Sequence, residues 1–312
     1  MAIKHPDQMD FSRKNFTMII SGSPGIGKTT LALSAPDPIL FDLDRGISRV
    51  RAEHRTLTVE ADAYEEMLSD MESGEYKAAK TVVLDTGGSL IQLMQPWAKK
   101  QEPKAARDGR AMFGVIKREF DRLTHQIRSI DKKNCIIVFH TTEVQKGDTI
   151  TQRLSCEGSA KDIVWTPADL GCYMHVMGKK RLLGFTPTEE YFAKSCYGIG
   201  GLREVPELKP GEPNDYLTRL FNEARASINE EMARYNVERP IYEEAMAAGR
   251  ALIADTANIE ALNETARDLG TLTHALTSRK ELLAALNEKA AQLGAKWDKE
   301  AKAYVQADAH AA

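Results

Sequence analysis

Five short apolar runs punctuate the first two thirds of the chain, at 16–20, 38–43, 81–85, 135–140 and 172–177. Each is aliphatic or β-branched, the pattern of strands buried on both faces of a parallel sheet. Amphipathic segments fall between them. The clearest is 113–130, where Phe113, Ile116, Phe120, Leu123, Ile127 and Ile130 recur at spacings of three and four. That period predicts a helix with one apolar face. Strands alternating with helices predict an α/β fold, a mostly parallel sheet flanked by helices with right-handed crossovers. Tyr173–Met177 and Arg181–Phe185, joined by Gly178-Lys179-Lys180, predict a hairpin at the end of this core.

The pattern changes near residue 205. Val205 to Pro213 carries three prolines and a glycine and reads as a linker. Beyond it the chain is alanine-rich and helical. One helix is expected from Asp215 to about Tyr235 and another from Ile241 to Ile253. A third starts where Ser278 followed by Glu281 forms a capping box. Its apolar stripe is Leu282, Leu286, Ala290 and Leu293, and Gly294 is placed to end it. The expected organisation is a core over 1–205, a linker and connecting helix over 206–240, and a small C-terminal helical domain over 241–312. Trp297 to Tyr304 reads as an amphipathic, partly basic tail. It suits a single-strand-binding protein, DNA or a sister subunit as partner, or a small helical cap; the residues leave these open.

Composition narrows the class. Of 312 residues 42% are hydrophobic and 28% charged, as in globular proteins. No apolar run is long enough to span a bilayer, and MAIKHPDQMDFSRKN has no apolar signal core, so a cytoplasmic, non-membrane protein is expected. Cys135, Cys156, Cys172 and Cys196 form no metal-spaced pair and read as reduced thiols. The net charge of −3 excludes a uniformly basic nucleic-acid binder. Any such binding must come from local patches.

The chemistry begins at Gly22-Ser23-Pro24-Gly25-Ile26-Gly27-Lys28-Thr29, the phosphate loop G-x-x-x-x-G-K-[ST], with Thr30 opening the helix behind it. Glycines let backbone N–H groups curl inward around phosphates, and the helix N-terminus adds positive potential. Lys28 is expected on the β/γ phosphates and the Thr29 hydroxyl on Mg²⁺. A metal-side carboxylate is needed as well. Thr81-Val82-Val83-Leu84-Asp85 supplies it at a strand end, so Asp85 is the expected Walker B acid, holding Mg²⁺ through water. Hydrolysis needs a group that orients or deprotonates water. The second strand ends Phe41-Asp42-Leu43-Asp44, and Asp44 is the candidate, Asp42 lying one pleat earlier and turned sideways or inward. The fourth strand ends in His140, placed to sense the γ-phosphate. The guanine-reading N-K-x-D is absent, which favours ATP.

This order of phosphate loop, strand ending D-x-acid, strand ending VVLDT and strand ending in a polar sensor resembles the RecA core. GSPGIGKTT, Asp44-Arg45-Gly46, the D-T after Walker B and the sensor histidine are similar to phage-encoded RecA-like ATPases. These include single-strand annealing proteins of the Sak group. The resemblance covers about residues 14–200. It implies a RecA-like P-loop NTPase core that uses ATP and Mg²⁺, with Asp44 activating water where the family has glutamate. It also implies single-stranded DNA as partner and a homo-oligomeric ring or filament. Two loops would then touch DNA. One spans about 99–112, with Lys99, Lys100, Lys104, Arg107 and Arg110 against Glu102 and Asp108. The other spans about 144–158, with Lys146 and Arg153. No aromatic lies in either. A cation from a neighbouring subunit commonly completes such sites, and Lys161, Lys179, Lys180 and Arg181 are the candidates.

The function expected is Mg²⁺-dependent ATP hydrolysis serving annealing or strand exchange on single-stranded DNA in phage recombination. The alternatives are a small-molecule kinase on the same loop, which would need an arginine-rich lid, and a nucleotide-gated switch.

Overall fold

A computed structural model describes residues 9–147, 149–156 and 164–307. The five expected strands all form. The strands are β1 (Thr17–Gly22), β2 (Pro38–Asp42), β3 (Thr58–Val59), β4 (Thr81–Asp85), β5 (Asn134–Lys146), β6 (Thr149–Leu154), β7 (Leu170–Met177), β8 (Lys180–Gly184) and β9 (Leu202–Val205). Across the sheet the order is β3-β2-β4-β5-β1-β7-β8-β9, with β6 paired to β5 beside this path. From β3 to β7 every pairing is parallel. The pairs β7–β8, β8–β9 and β5–β6 are antiparallel. Parallel strands present their carboxyl ends along one edge, where ligands of open α/β sheets bind. Gly22, Asp42, Asp85 and His140 all lie at that edge: Gly22 registers with His140, and Asp42 with Asp85.

Strand alternation divides the core into two layers. Ile19, Phe41, Leu84 and Phe139 point to one face. There they meet α2 (Tyr64–Asp70), α4 (Gly87–Gln101) and α5 (Gly109–His125), the short α3 (Gly74–Ala78) lying between α2 and β4. Met18, Ile20, Leu40 and Val138 point to the other. That face holds Leu31 and Ala32 of α1 (Lys28–Ala32) and Leu217, Leu220 and Phe221 of α6 (Tyr216–Ala254). The helix expected over 113–130 is α5 with a π turn at Gln126–Ile130.

Two compact units emerge, Phe11–Ile228 and a second from residue 229 onward. Helix α6 runs from one into the other. Where two helices are expected between Asp215 and Ile253, one continuous helix holds Pro240 within it. Proline removes one backbone bond. Glu, Arg, Ala and Met on both sides are strong helix formers and offset that loss. The second unit contains α7 (Ile259–Thr271), which the reading of the sequence misses, and α8 (Ser278–Gln292). Asn258 caps α7 by accepting from the Ala261 N–H at 2.9 Å. The cap of α8 lies one residue earlier than expected. Thr277 occupies it and its hydroxyl bonds Glu281, while Ser278 is buried and accepts from the Ala275 N–H at 3.3 Å. Trp297 to Tyr304 is not a tail but part of a hairpin, β10 (Ala295–Asp298) with β11 (Ala303–Gln306). Trp297 stands edge-on to Tyr304, whose ring is buried against α7 and α8.

Candidate nucleotide site

The phosphate loop joins β1 to α1. Gly22 has φ +154°, and a Cβ there would collide with the Met174 carbonyl oxygen of the neighbouring strand. Gly27, at φ +100°, turns the chain into the helix. Only glycine fits both demands without strain. Ser23 to Thr30 follow in sequence, and Pro24, Gly25, Gly27, Lys28, Thr29 and Thr30 line a cleft of about 340 Å³. Asp44, Gly46, Arg49, Asp85 and His140 complete its wall. Ile26 backs the loop, its side chain packed on the apolar layer beneath.

Within this cleft the expected polar residues are connected. Lys28 Nζ donates to the Ser23 carbonyl at 2.8 Å and meets His140 Nδ1 at 3.1 Å. His140 Nε2 lies 3.2 Å from Asp44 Oδ2. A neutral imidazole that accepts from Lys28 on Nδ1 and donates to Asp44 from Nε2 satisfies both contacts. The Thr86 hydroxyl reaches Asp44 Oδ1 at 3.3 Å, and the Ser89 hydroxyl bonds the same oxygen. On the other side, Thr29 Oγ1 donates to Asp85 Oδ2 at 2.6 Å. Asp42 is buried and accepts from the Gly46 and Ile47 N–H groups at 2.8 Å each. Its carboxylate fixes the turn that presents Asp44 and is not in the cleft.

Burial sets the charges. Lys28 is only 4% exposed. Desolvation lowers its ammonium to about 8, with Asp85 and Asp44 opposing the fall. Asp85 is raised, chiefly by desolvation, with the Thr29 hydroxyl opposing it. Asp44 goes the other way. Its hydrogen bond to His140 leads, and with those from Ser89 and Thr86 it brings the carboxyl down to about 2 against desolvation. A carboxylate so stabilised is a weak proton acceptor. It suits the orientation of water better than its deprotonation.

The donor set fits magnesium. Thr29 and Asp85 offer a hydroxyl and a carboxylate side by side, both hard oxygens, at the foot of the phosphate loop. Mg²⁺ takes few protein ligands and fills the rest with water and phosphate oxygens.

A second cleft, of about 230 Å³, adjoins the first and shares Gly27, Thr30 and Arg49 with it. The linker Val205–Leu208 and Pro213–Tyr216 form one wall. Four arginines line it: Arg49, Arg51, Arg181 and Arg219. The reading of the sequence missed these as site residues, apart from Arg181, and it missed Thr86 and Ser89. A hydroxyl three residues past the N-cap Thr86 of a helix leaving a strand end was the available signal for Ser89.

Lys99, Lys100, Lys104, Arg107, Arg110, Arg153, Lys179 and Lys180 line neither cleft. Lys99 and Lys100 close α4, exposed, and Lys100 pairs with Glu65 at 2.9 Å. Lys104 and Arg107 are exposed on the connection to α5, and Arg110 on its first turn. The second stretch is not a loop. β5 continues past His140 to Lys146 and pairs with β6, which carries an exposed Arg153 opposite Thr142. β-branched residues on both sides of Gly147, Thr141, Thr142 and Val144 before it and Thr149, Ile150 and Thr151 after it, favour the hairpin. Lys161 lies outside the described residues. Lys179 is exposed at the β7–β8 turn, and Lys180 pairs with Glu204 at 2.7 Å. Arg181, expected to reach a neighbouring subunit, is engaged within its own chain: its Nε donates to the Ile26 carbonyl of the phosphate loop at 3.1 Å.

A buried lysine at a glycine loop, a threonine–aspartate pair and a strand-end sensor define a nucleoside-triphosphate site. Residues 14–197 match the AAA domain family AAA_24, and the chain belongs to that family; it is a P-loop ATPase. No curated protein matches it. Among solved structures it is similar to a KaiC-like protein from the hyperthermophilic archaeon Pyrococcus horikoshii OT3, with 14% identity over 62% of this chain and 90% of that one, TM-score 0.36. It is also similar to the flagellar accessory protein FlaH from Methanocaldococcus jannaschii, with 12% identity over 54% of this chain and 76% of that one, TM-score 0.30. Among the described residues, no helix is long and apolar enough to cross a membrane.

Proposed function

We propose that this ATPase hydrolyses ATP with Mg²⁺ and uses the cycle on single-stranded DNA, in annealing or strand exchange during phage recombination. Backbone N–H groups of the loop and Lys28 hold the β/γ phosphates. Thr29 and Asp85 hold the metal, which screens phosphate charge when bound. Asp44 orients the attacking water. The nucleoside occupies the second cleft, which opens from the same Gly27 and Thr30.

One observation carries the DNA reading. His140 touches both Lys28 and Asp44, and the strand that holds it runs without a break into the β5–β6 hairpin with Arg153. A phosphate backbone bound at the hairpin would thereby shift the residue that contacts the water-orienting carboxylate. The exposed cations at 99–110 supply a second phosphate-binding stretch. Assembly into a homo-oligomeric ring or filament and contact with a single-strand-binding protein belong to the same proposal. So does a cytoplasmic site of action.

The test is ATP turnover with and without single-stranded DNA, at low and high salt. The reading expects stimulation that fades as salt rises. Turnover indifferent to DNA removes the recombination role. A second reading, a nucleotide-gated switch, draws on the Asp44 carboxyl near 2, a weak base. It expects tight nucleotide binding with hardly any turnover under either condition.

A further inference from the structure

We infer that Arg49 supplies, from within the same chain, the cation that neutralises the terminal phosphate during hydrolysis; this rests on the ATPase reading of the site. Of the four arginines lining the two clefts, three are held by other groups. Arg51 donates to the Leu208 carbonyl at 3.2 Å and lies 4.0 Å from Glu53. Arg181 donates to the Ile26 carbonyl at 3.1 Å, and Arg219 pairs with Asp215 at 3.1 Å. The Arg49 guanidinium has no hydrogen bond or ion pair with any described residue, and it alone of the four also lines the phosphate cleft.

The turn that carries it is built to hold it there. Asp42, buried, accepts from Gly46 and Ile47 and pins the start of the 3₁₀ turn Ile47–Arg49. On the outside, Arg45 is tied to Glu60 at 2.7 Å and to Asp62. The Arg49 guanidinium lies across Gly46, where an added Cβ would collide with its Nη2. One turn therefore presents both Asp44 and Arg49 to the same cleft, an acceptor for water and a fork of donors for phosphate.

The electrostatics favour such a group. Lys28 faces Asp44 and Asp85, two carboxylates for one ammonium, before a polyanionic substrate enters. In the reaction the water oxygen forms a bond to the γ-phosphorus. The bond from that phosphorus to the β–γ bridging oxygen breaks, its electron pair staying on the diphosphate. Both water protons remain on the orthophosphate product, so Asp44 need only orient the water. Negative charge moves onto the bridging oxygen and the equatorial oxygens, where a guanidinium is most effective.

The test combines two kinds of variant, those that alter the cation and one that displaces it. Arg49→Ala should lower kcat about 10³-fold while the affinity for ADP changes by less than about threefold. Arg49→Lys should restore part of the rate, as a point charge without the fork. Gly46→Ala, which displaces the guanidinium and removes no phosphate ligand, should also lower kcat. Arg49→Ala chains are then mixed with Lys28→Ala chains. A cation acting in cis leaves the mixture as inactive as its parts. Recovery of turnover would place Arg49 in a neighbour's site and overturn the inference, as would a wild-type kcat in Arg49→Ala. In either case normal ADP binding and wild-type hydrolysis leave the ATPase reading intact. A wild-type chain that binds no nucleotide would end both.

Discussion

The carboxyl edge of the sheet and the basic stretches at 99–110 and 146–153 hold their charges in opposite ways. At the edge, Lys28 and Asp85 are nearly out of water and each touches a named partner. On the basic stretches, Lys99, Lys104, Arg107, Arg110 and Arg153 are exposed. Low polarity amplifies every interaction at the first, and salt and water mute those at the second. Single substitutions at the edge should therefore act strongly and specifically. Those on the stretches should act weakly, together, and in a salt-dependent way.

Lys28→Ala is the largest break of this comparison. It removes the cation proposed to hold the phosphates and should lower kcat/KM at least about 10³-fold, read by steady-state turnover. Normal hydrolysis would show that the site lies elsewhere. Asp85→Asn follows. It keeps the shape and would weaken the proposed hold on Mg²⁺, so turnover should fall about 10²-fold and recover partly at high Mg²⁺. A loss unresponsive to Mg²⁺ would separate Asp85 from the metal.

These two effects fall on residues legible in the sequence, and the reason is geometric. In a parallel sheet the strand ends converge, so an acid or histidine closing an apolar run is placed near the phosphate loop by topology alone. Asp44, Asp85 and His140 were readable for that reason. Arg49 was not. It follows its strand by seven residues and its position depends on the Asp42 carboxylate and on the bare Gly46. Arg51 and Arg219 were illegible for the same reason, since the 3₁₀ turns after β2 and the start of α6 meet only in three dimensions. The β5–β6 hairpin hid behind its polar residues, because strand pairing there depends on backbone rather than on a buried face. α7 carries its period in Ile259, Leu262, Ala266 and Leu269, a short stripe lying between two stronger signals.

A pH series sharpens the comparison further. Burial lowers the Lys28 ammonium to about 8, while phosphate binding requires it charged. Above about pH 8 the free protein must take up a proton as it binds. ADP affinity should then fall about tenfold per pH unit, approaching the ordinary lysine range. An affinity flat between about pH 7 and about pH 10 would show that Lys28 keeps its proton despite burial.

The smallest effect expected is on the exposed side, and it is the more discriminating for being small. Replacing Lys104, Arg107 and Arg110 together by alanine removes three exposed charges. The denaturant midpoint should stay where it is, since exposed charges contribute little to stability. DNA-free turnover should also stay unchanged, because none of the three lines either cleft. What should change, on the proposed DNA role, is the salt dependence of single-strand binding. Removing one cation that neutralises a phosphate flattens the plot of log affinity against log salt by about 0.7, so the triple variant should flatten it by about two. A weaker affinity with an unchanged slope would mean that these cations act through the fold rather than on phosphates. An unchanged affinity and slope would leave the β5–β6 hairpin, continuous with His140, to bear the DNA contact by itself.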